Sequence, residues 1–354
     1  DCSSVLPIAS VVFNLISFIP LTDGNHTNCT LMVTDVAGNT SNLLSVSAFF
    51  VDTANPTVDA GTDKTVNATI SQDATVTDPV PSSGILSYLW TQESGSGTIT
   101  FGSATSEDTT LAADTDDTYT VRLTVTDSAG NVSFDVMTLV WDTVAPTLAE
   151  VFAVSTPTND NTPAYTFSSD EAGSLSYGGG CSGVTTSAVA GNNPINFGPL
   201  ADGIYNCTLI VTDAATNPSL PLPVSTFQVD TVAPLVNAGG DKEVNVAVFQ
   251  DATTSDPIPA SGIVTWAWTQ QFGPGTAVFG SGSSEDTTIS ADVDGTYTIR
   301  LTVTDAAGNS AYDEMTLIWD TVAPVLVFSI PNDSATGVSI VDANLSAVFN
   351  EDVV

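Results

Sequence analysis

Positive charge is nearly missing from this chain. Lys and Arg together number 4 against 40 Asp and Glu, a formal net charge of −36 over 354 residues. That balance excludes nucleic acid and anionic lipid as natural partners. Histidine is limited to His26, which adjoins a polar turn and reads as an exposed loop residue. With no second His, neither a Ser/His/Asp nor a Cys/His arrangement can form in each repeated unit. Long apolar runs are lacking too. The most apolar stretch, residues 11–21, is too short for a bilayer and holds Asn14 and Pro20, so it reads as strand and no membrane span is expected in this window. Gly-rich loops such as "GSGSSED" lack the Lys and helix of a phosphate cradle. Paired carboxylates recur along the chain rather than meeting in one cleft, which argues against a glycosidase dyad. No enzyme is expected.

What is present is repetition. Trp141-Asp142-Thr143-Val144-Ala145-Pro146 recurs as Trp319-Asp320-Thr321-Val322-Ala323-Pro324, and 30 of the 41 positions from Ser106 to Pro146 match their partners 178 residues on. A period that long is a copied pair of domains rather than a solenoid unit. Two domain types alternate: 1–52 (lacking the start of its domain), 53–142, 143–230, 231–320, and 321–354 as the opening of another. In "TYTVRLTVTD", Tyr119, Val121, Leu123 and Val125 alternate with Thr and Arg122, so one face is buried and one wet. Trp90 and Trp268 sit where a sandwich places its central aromatic. Arg122 and Arg300 fall on outward faces and are expected to pair with a neighbouring carboxylate.

The four cysteines make two matching pairs, Cys2 with Cys29 and Cys181 with Cys207, in an acidic all-β chain without a CxxC metal pattern. They read as two disulfides and an oxidising compartment. Cys207 shares the inward face of Tyr205, Leu209 and Val211.

The stretches "VNAGGDKEV", "SDPIPASGIVTWAWTQQFGPGTAVF" and "DGTYTIRLTVTDAAGN" resemble PKD-like sandwich domains, although "WDFGDG" is replaced by a "YxWTQxSG" form. The other type, with "LADGIYNCTLIVTDAATN" and "VDTVAP", is similar to bacterial Ig-like repeats of giant adhesins. The tail "IPNDSATGVSIVDANLSAVFNEDV" resembles the opening of a further bacterial Ig-like domain. The expected fold is therefore all-β, a linear array of alternating Ig-like and PKD-like β-sandwiches. The resemblance implies an extracellular cell-surface stalk, adhesin or filament, often calcium-dependent.

Of the 40 acids only 8 are Glu, and short carboxylates on turns suit oxygen-ligand cation sites. In sandwiches of this connectivity the BC and FG loops meet the entering linker and the EF loop lies near the leaving one. For the first PKD-like domain this gathers Asp52, Asp78 and Asp127 at one pole. At the other it gathers Asp114, Asp116 and Asp142, joined by Asp213 of the next domain. The pattern repeats as Asp230, Asp256 and Asp305, then Asp292, Asp294 and Asp320, with Asp35 serving the first unit. Two such charges 4 Å apart repel by about 4 kcal/mol at an effective dielectric near 20. Calcium bound at the interdomain joints would offset that. The competing reading of each "VTDxAGN" is turn chemistry alone.

The function expected is structural: a segment of a long, calcium-stiffened fibre or adhesin stalk, whose partners are neighbouring domains, other copies of the fibre, or a surface or glycan ligand. One alternative is a self-assembling filament subunit with lateral contacts, or with strand exchange in which residues 325–354 complete another chain's 1–52. The other is a carbohydrate-binding module of a secreted enzyme, for which Trp266 is the candidate exposed aromatic.

Overall fold

The computed structural model describes residues 2, 15–330, 336 and 346–350. The start of the 11–21 stretch, and most of the tail on which strand exchange depends, lie outside them. No helix occurs among the described residues, so none is long and apolar enough to cross a membrane.

Among the described residues, three hydrophobic cores follow one another along the chain. The first is built on Asp117–Asp127, a strand whose Tyr119, Val121, Leu123 and Val125 are each 0% exposed. It pairs antiparallel with Val132–Trp141 on one side and Ile85–Ser94 on the other. Lys64–Val66 closes this four-stranded sheet by pairing parallel to the end of Val132–Trp141. A three-stranded sheet of Ile99–Phe101, Thr109–Ala113 and Ile70–Gln72 covers its inner face. Alternation produces the sandwich directly, because every second residue of a strand faces the opposite sheet. Trp90 fills the centre at 2% exposure, and its indole N–H reaches the Ser106 and Glu107 carbonyls at 3.1 Å. Burying such a ring contributes about 3 kcal/mol.

The third core repeats the first around Trp268, Tyr297, Leu301 and Leu317, with the same sheet orders. Trp266 corrects an expectation. It packs against this core, and its indole N–H donates to Thr254 Oγ1 at 3.2 Å, so it supplies no exposed sugar platform.

The second core, between residues 148 and 229, gathers Tyr165, Phe167, Phe197, Leu209, Val211 and Phe227. Ala164–Ser169 pairs with Leu148–Phe152 and Gly191–Asn196, while Gly173–Gly178 pairs with Thr208–Thr212. The Cys181–Cys207 disulfide lies inside it, with Cα atoms 5.6 Å apart. Cys2 and Cys29 are also bonded. His26 is a second correction. It belongs to the strand Gly24–His26, paired with Phe49–Val51, and stacks on Phe49 with ring centroids 5.3 Å apart. A ring nitrogen lies 2.9 Å from the Thr22 carbonyl.

Candidate metal centres between the cores

Each hairpin after a long central strand ends in the same device. In "VTDSAGN" the Asp127 carboxylate accepts the Asn131 backbone N–H at 2.8 Å and its side-chain amide at 2.7 Å. The same amide donates to the Asp52 carbonyl at 3.1 Å. The turn thus grips the segment arriving from the preceding unit. Asp305 and Asn309 hold the Asp230 carbonyl in the same way, at 2.8 Å. Asp213 and Asn217 hold that of Asp142 at 2.9 Å. The turn requires a left-handed residue before the Asn. Gly130 and Gly308 provide it with φ of 97° and 95°, whereas Thr216 adopts φ of 75° at the matching place.

This grip brings carboxylates together. Asp52, Asp78 and Asp127 place oxygens within 4.8 Å of one another, as do Asp230, Asp256 and Asp305, and Asp142, Glu171 and Asp213. In the first group Asp52 is 7% and Asp127 0% exposed; in the second Asp230 is 0% and Asp305 1% exposed. Asp52 also accepts the backbone N–H of Ser83 at 2.8 Å, and Asp230 that of Ser261 at 2.7 Å. Hydrogen bonding from Ser83 holds the Asp52 carboxyl below the ordinary carboxylate range. Asp78 commits one oxygen to Ser82 and Gly84. Its other oxygen, like that of Asp256, is out of water's reach and has no hydrogen-bond partner. A buried unpaired carboxylate oxygen is costly.

The third group differs. Asp142 and Glu171 are half-buried, and desolvation, then the charges of Asp142, Asp170 and Asp213, push the Glu171 pKa up. Asn67 reaches across from the preceding core to Asn217 Oδ1 at 2.8 Å.

The remaining expected ligands lie outside these three groups. Asp116 accepts the backbone N–H of Thr143 at 3.0 Å and also its hydroxyl, and Asp294 does the same for Thr321. Asp23 with Thr53 and Asp202 with Thr231 make the same clasp. Asp114 and Asp292 cap the backbone N–H groups of Thr98 and Thr276 at 2.7 and 2.6 Å. Asp116 and Asp294 are thus taken up by the leaving linker, and Asp114 and Asp292 by a neighbouring loop. Asp320 accepts the Val322 N–H at 2.9 Å. Asp35 caps Ala37 and Asn39 at 2.9 and 2.8 Å.

Sequence reasoning missed Glu171 and the three asparagines. The asparagines carried a visible signal, since each stands four residues after its Asp. Glu171 carried less, because only Asp had been sought in that loop.

The fold and the repeated joints define tandem β-sandwich domains, and comparison with known proteins agrees. Residues 60–140 and 238–318 match the family model described as a PKD domain; these two units are PKD-like domains. Among solved structures, the PKD domain from KIAA 1837 protein is 25% identical, covering 24% of this chain and 84% of that one with a TM-score of 0.21. A tetra-tandem repeat from the extending region of a large adhesion protein is 20% identical, covering 85% and 83%, with a TM-score of 0.27. No curated protein sequence matches the chain.

Proposed function

We propose that the chain is a segment of a long extracellular fibre or adhesin stalk whose joints are stiffened by calcium. The observation that supports this best is the orphaned oxygen of Asp78 and of Asp256, each set beside two buried aspartates. A bound cation would satisfy a carboxylate in that position. The donors are all hard oxygens, and groups no more than 4.8 Å apart can share one ion bonded at about 2.4 Å. Calcium tolerates irregular loop ligands better than magnesium, which demands near-octahedral geometry. PKD-like units and two disulfides support the extracellular placement.

Each ion would hold an arriving linker Asp to the BC-loop and FG-turn acids of the next domain. The Asn131 class of amide holds the linker main chain in place for it. At tenfold over its dissociation constant, one ion adds about 1.4 kcal/mol and restrains one joint.

Calorimetric titration of the whole chain with calcium, alongside thermal unfolding and small-angle scattering in calcium and in chelator, tests this. The expected result is binding at the three groups, a higher melting temperature and a longer particle in calcium. Unchanged melting and unchanged dimensions would return the aspartates to turn chemistry.

A further inference from the structure

The two PKD-like domains turn the same sheet face to solvent and furnish it differently. In the first, strand register sets Leu89, Thr124 and Phe134 in one cross-strand row and Thr91, Arg122 and Val136 in the next. Leu89, Phe134 and Val136 are 48%, 57% and 47% exposed. In the second domain the matching rows are Ala267, Thr302 and Tyr312, then Thr269, Arg300 and Glu314. In these two rows the first domain is the more apolar, while the second carries Tyr312 at 59% and, one row on, Phe272 at 75% exposed.

The arginines record the difference. Arg300 lies over Tyr312 at 3.9 Å, and its Nε and Nη2 both donate to Glu314, at 2.9 and 2.7 Å. Arg122 lies over Phe134 at 3.7 Å, but Val136 occupies the position of Glu314. Its Nε is buried without an acceptor, and its one ion pair, to Glu93, is 3.5 Å long. The position of Glu93 in the other copy is Gln271. A guanidinium with one unpartnered N–H, seated on an aromatic ring and flanked by exposed aliphatic side chains, has the make-up of an interface centre.

We propose that this face of the first PKD-like domain docks a second copy of the same chain. A two-fold arrangement pairs Glu93 of one copy with Arg122 of the other, while Leu89, Phe134 and Val136 pack against their equivalents. Charge selects this face. Two chains of net charge −36 repel wherever acidic surfaces meet. A patch carrying one cation, one carboxylate and apolar ground is self-complementary about a two-fold axis. The second PKD-like domain is closed to such contact by its own Glu314.

Sedimentation velocity of the full chain in calcium, over a range of concentrations, tests the proposal. The wild-type chain should dimerise. Arg122→Glu and Glu93→Arg should each weaken the dimer at least about tenfold, and mixing the two variants should restore it, since the swapped charges then meet across the axis. Val136→Glu, which imports the second domain's own cap, should also give monomers. Glu93 and Val136 are exposed and Arg122 is half-buried, and melting curves matching the wild type establish that each variant is folded. A monomeric wild type, a mixture that stays monomeric, or a dimer indifferent to Val136→Glu overturns the proposal. So does a monomeric wild type that binds an acidic polysaccharide such as alginate through Arg122.

Discussion

The joints entering the PKD-like domains and the joint entering the unit between them use one plan with different materials. The first kind has three aspartates, a buried linker carboxylate, an orphaned oxygen on the BC-loop acid and glycine in the turn. The second has Glu171 in place of one Asp, a half-buried Asp142, and Thr216 held at φ of 75°. A β-branched residue in that region carries about 1–3 kcal/mol of strain. The first kind is therefore more fully preorganised. The second keeps a longer, more adaptable carboxylate and stores strain in its gripping turn. On the proposed reading, stiffness in such a chain is set joint by joint.

The largest test of that contrast is removal of the turn carboxylate. Asp305→Ala should cost about 3 kcal/mol in calcium, since it strips two charged hydrogen bonds and a proposed calcium ligand. Asp213→Ala should cost about 2. Denaturant unfolding measures both, and equal losses would erase the distinction. In chelator both losses should shrink, because like charges are no longer forced together.

Exchanging the turn residues comes next. Gly130→Thr should destabilise by about 1–2 kcal/mol, and Thr216→Gly should gain up to about 1. Open space surrounds Gly130, so a loss there reports backbone strain rather than a clash. The exit clasps provide a control that ought not to discriminate. Asp116→Ala and Asp202→Ala should each cost about 1 kcal/mol, and a large inequality would mean that the two domain types also differ where the chain leaves.

The smallest effect is one of pH in metal-free solution. Asp52 is shifted below its ordinary 3.8, so its contribution is present above that value and fades as the pH falls through the folded one. Glu171 is shifted above its ordinary 4.5, so its joint is best held when it is protonated and weakens as the pH rises through the folded value. Mild acid should thus firm the Glu171 joint before it loosens the Asp52 joint. Amide hydrogen exchange at Asn217 and Asn131 can follow the two separately. Parallel behaviour at both would break the comparison.

Much of the fold was legible because alternation and duplication are strong signals. The Tyr119 to Val125 pattern, both buried tryptophans and both cysteine pairs are where the sequence implies. The grouping of Asp52, Asp78 and Asp127 was legible from connectivity. The fate of Asp114 and Asp116 was not. Whether a carboxylate faces an ion or a backbone N–H depends on loop geometry of an ångström or so, which residue type does not encode. Glu171 was hidden because the other copy of its domain does not include the matching loop within residues 1–52. The outward expectation for Trp266 failed, because alternation with the core Trp268 two residues on turns it inward, where it packs.

The parallel closing strand has a mechanical meaning. Lys64–Val66 runs alongside Leu139–Trp141, and in the neighbouring unit Thr158 bridges Val229 in the same sense. In both, the segment near the domain's start is fastened beside the one near its end. Tension between the two ends then slides these segments past each other, so their hydrogen bonds must rupture together instead of one after another. A thread built of such units fails by shear and not by unzipping, and so would hold under flow.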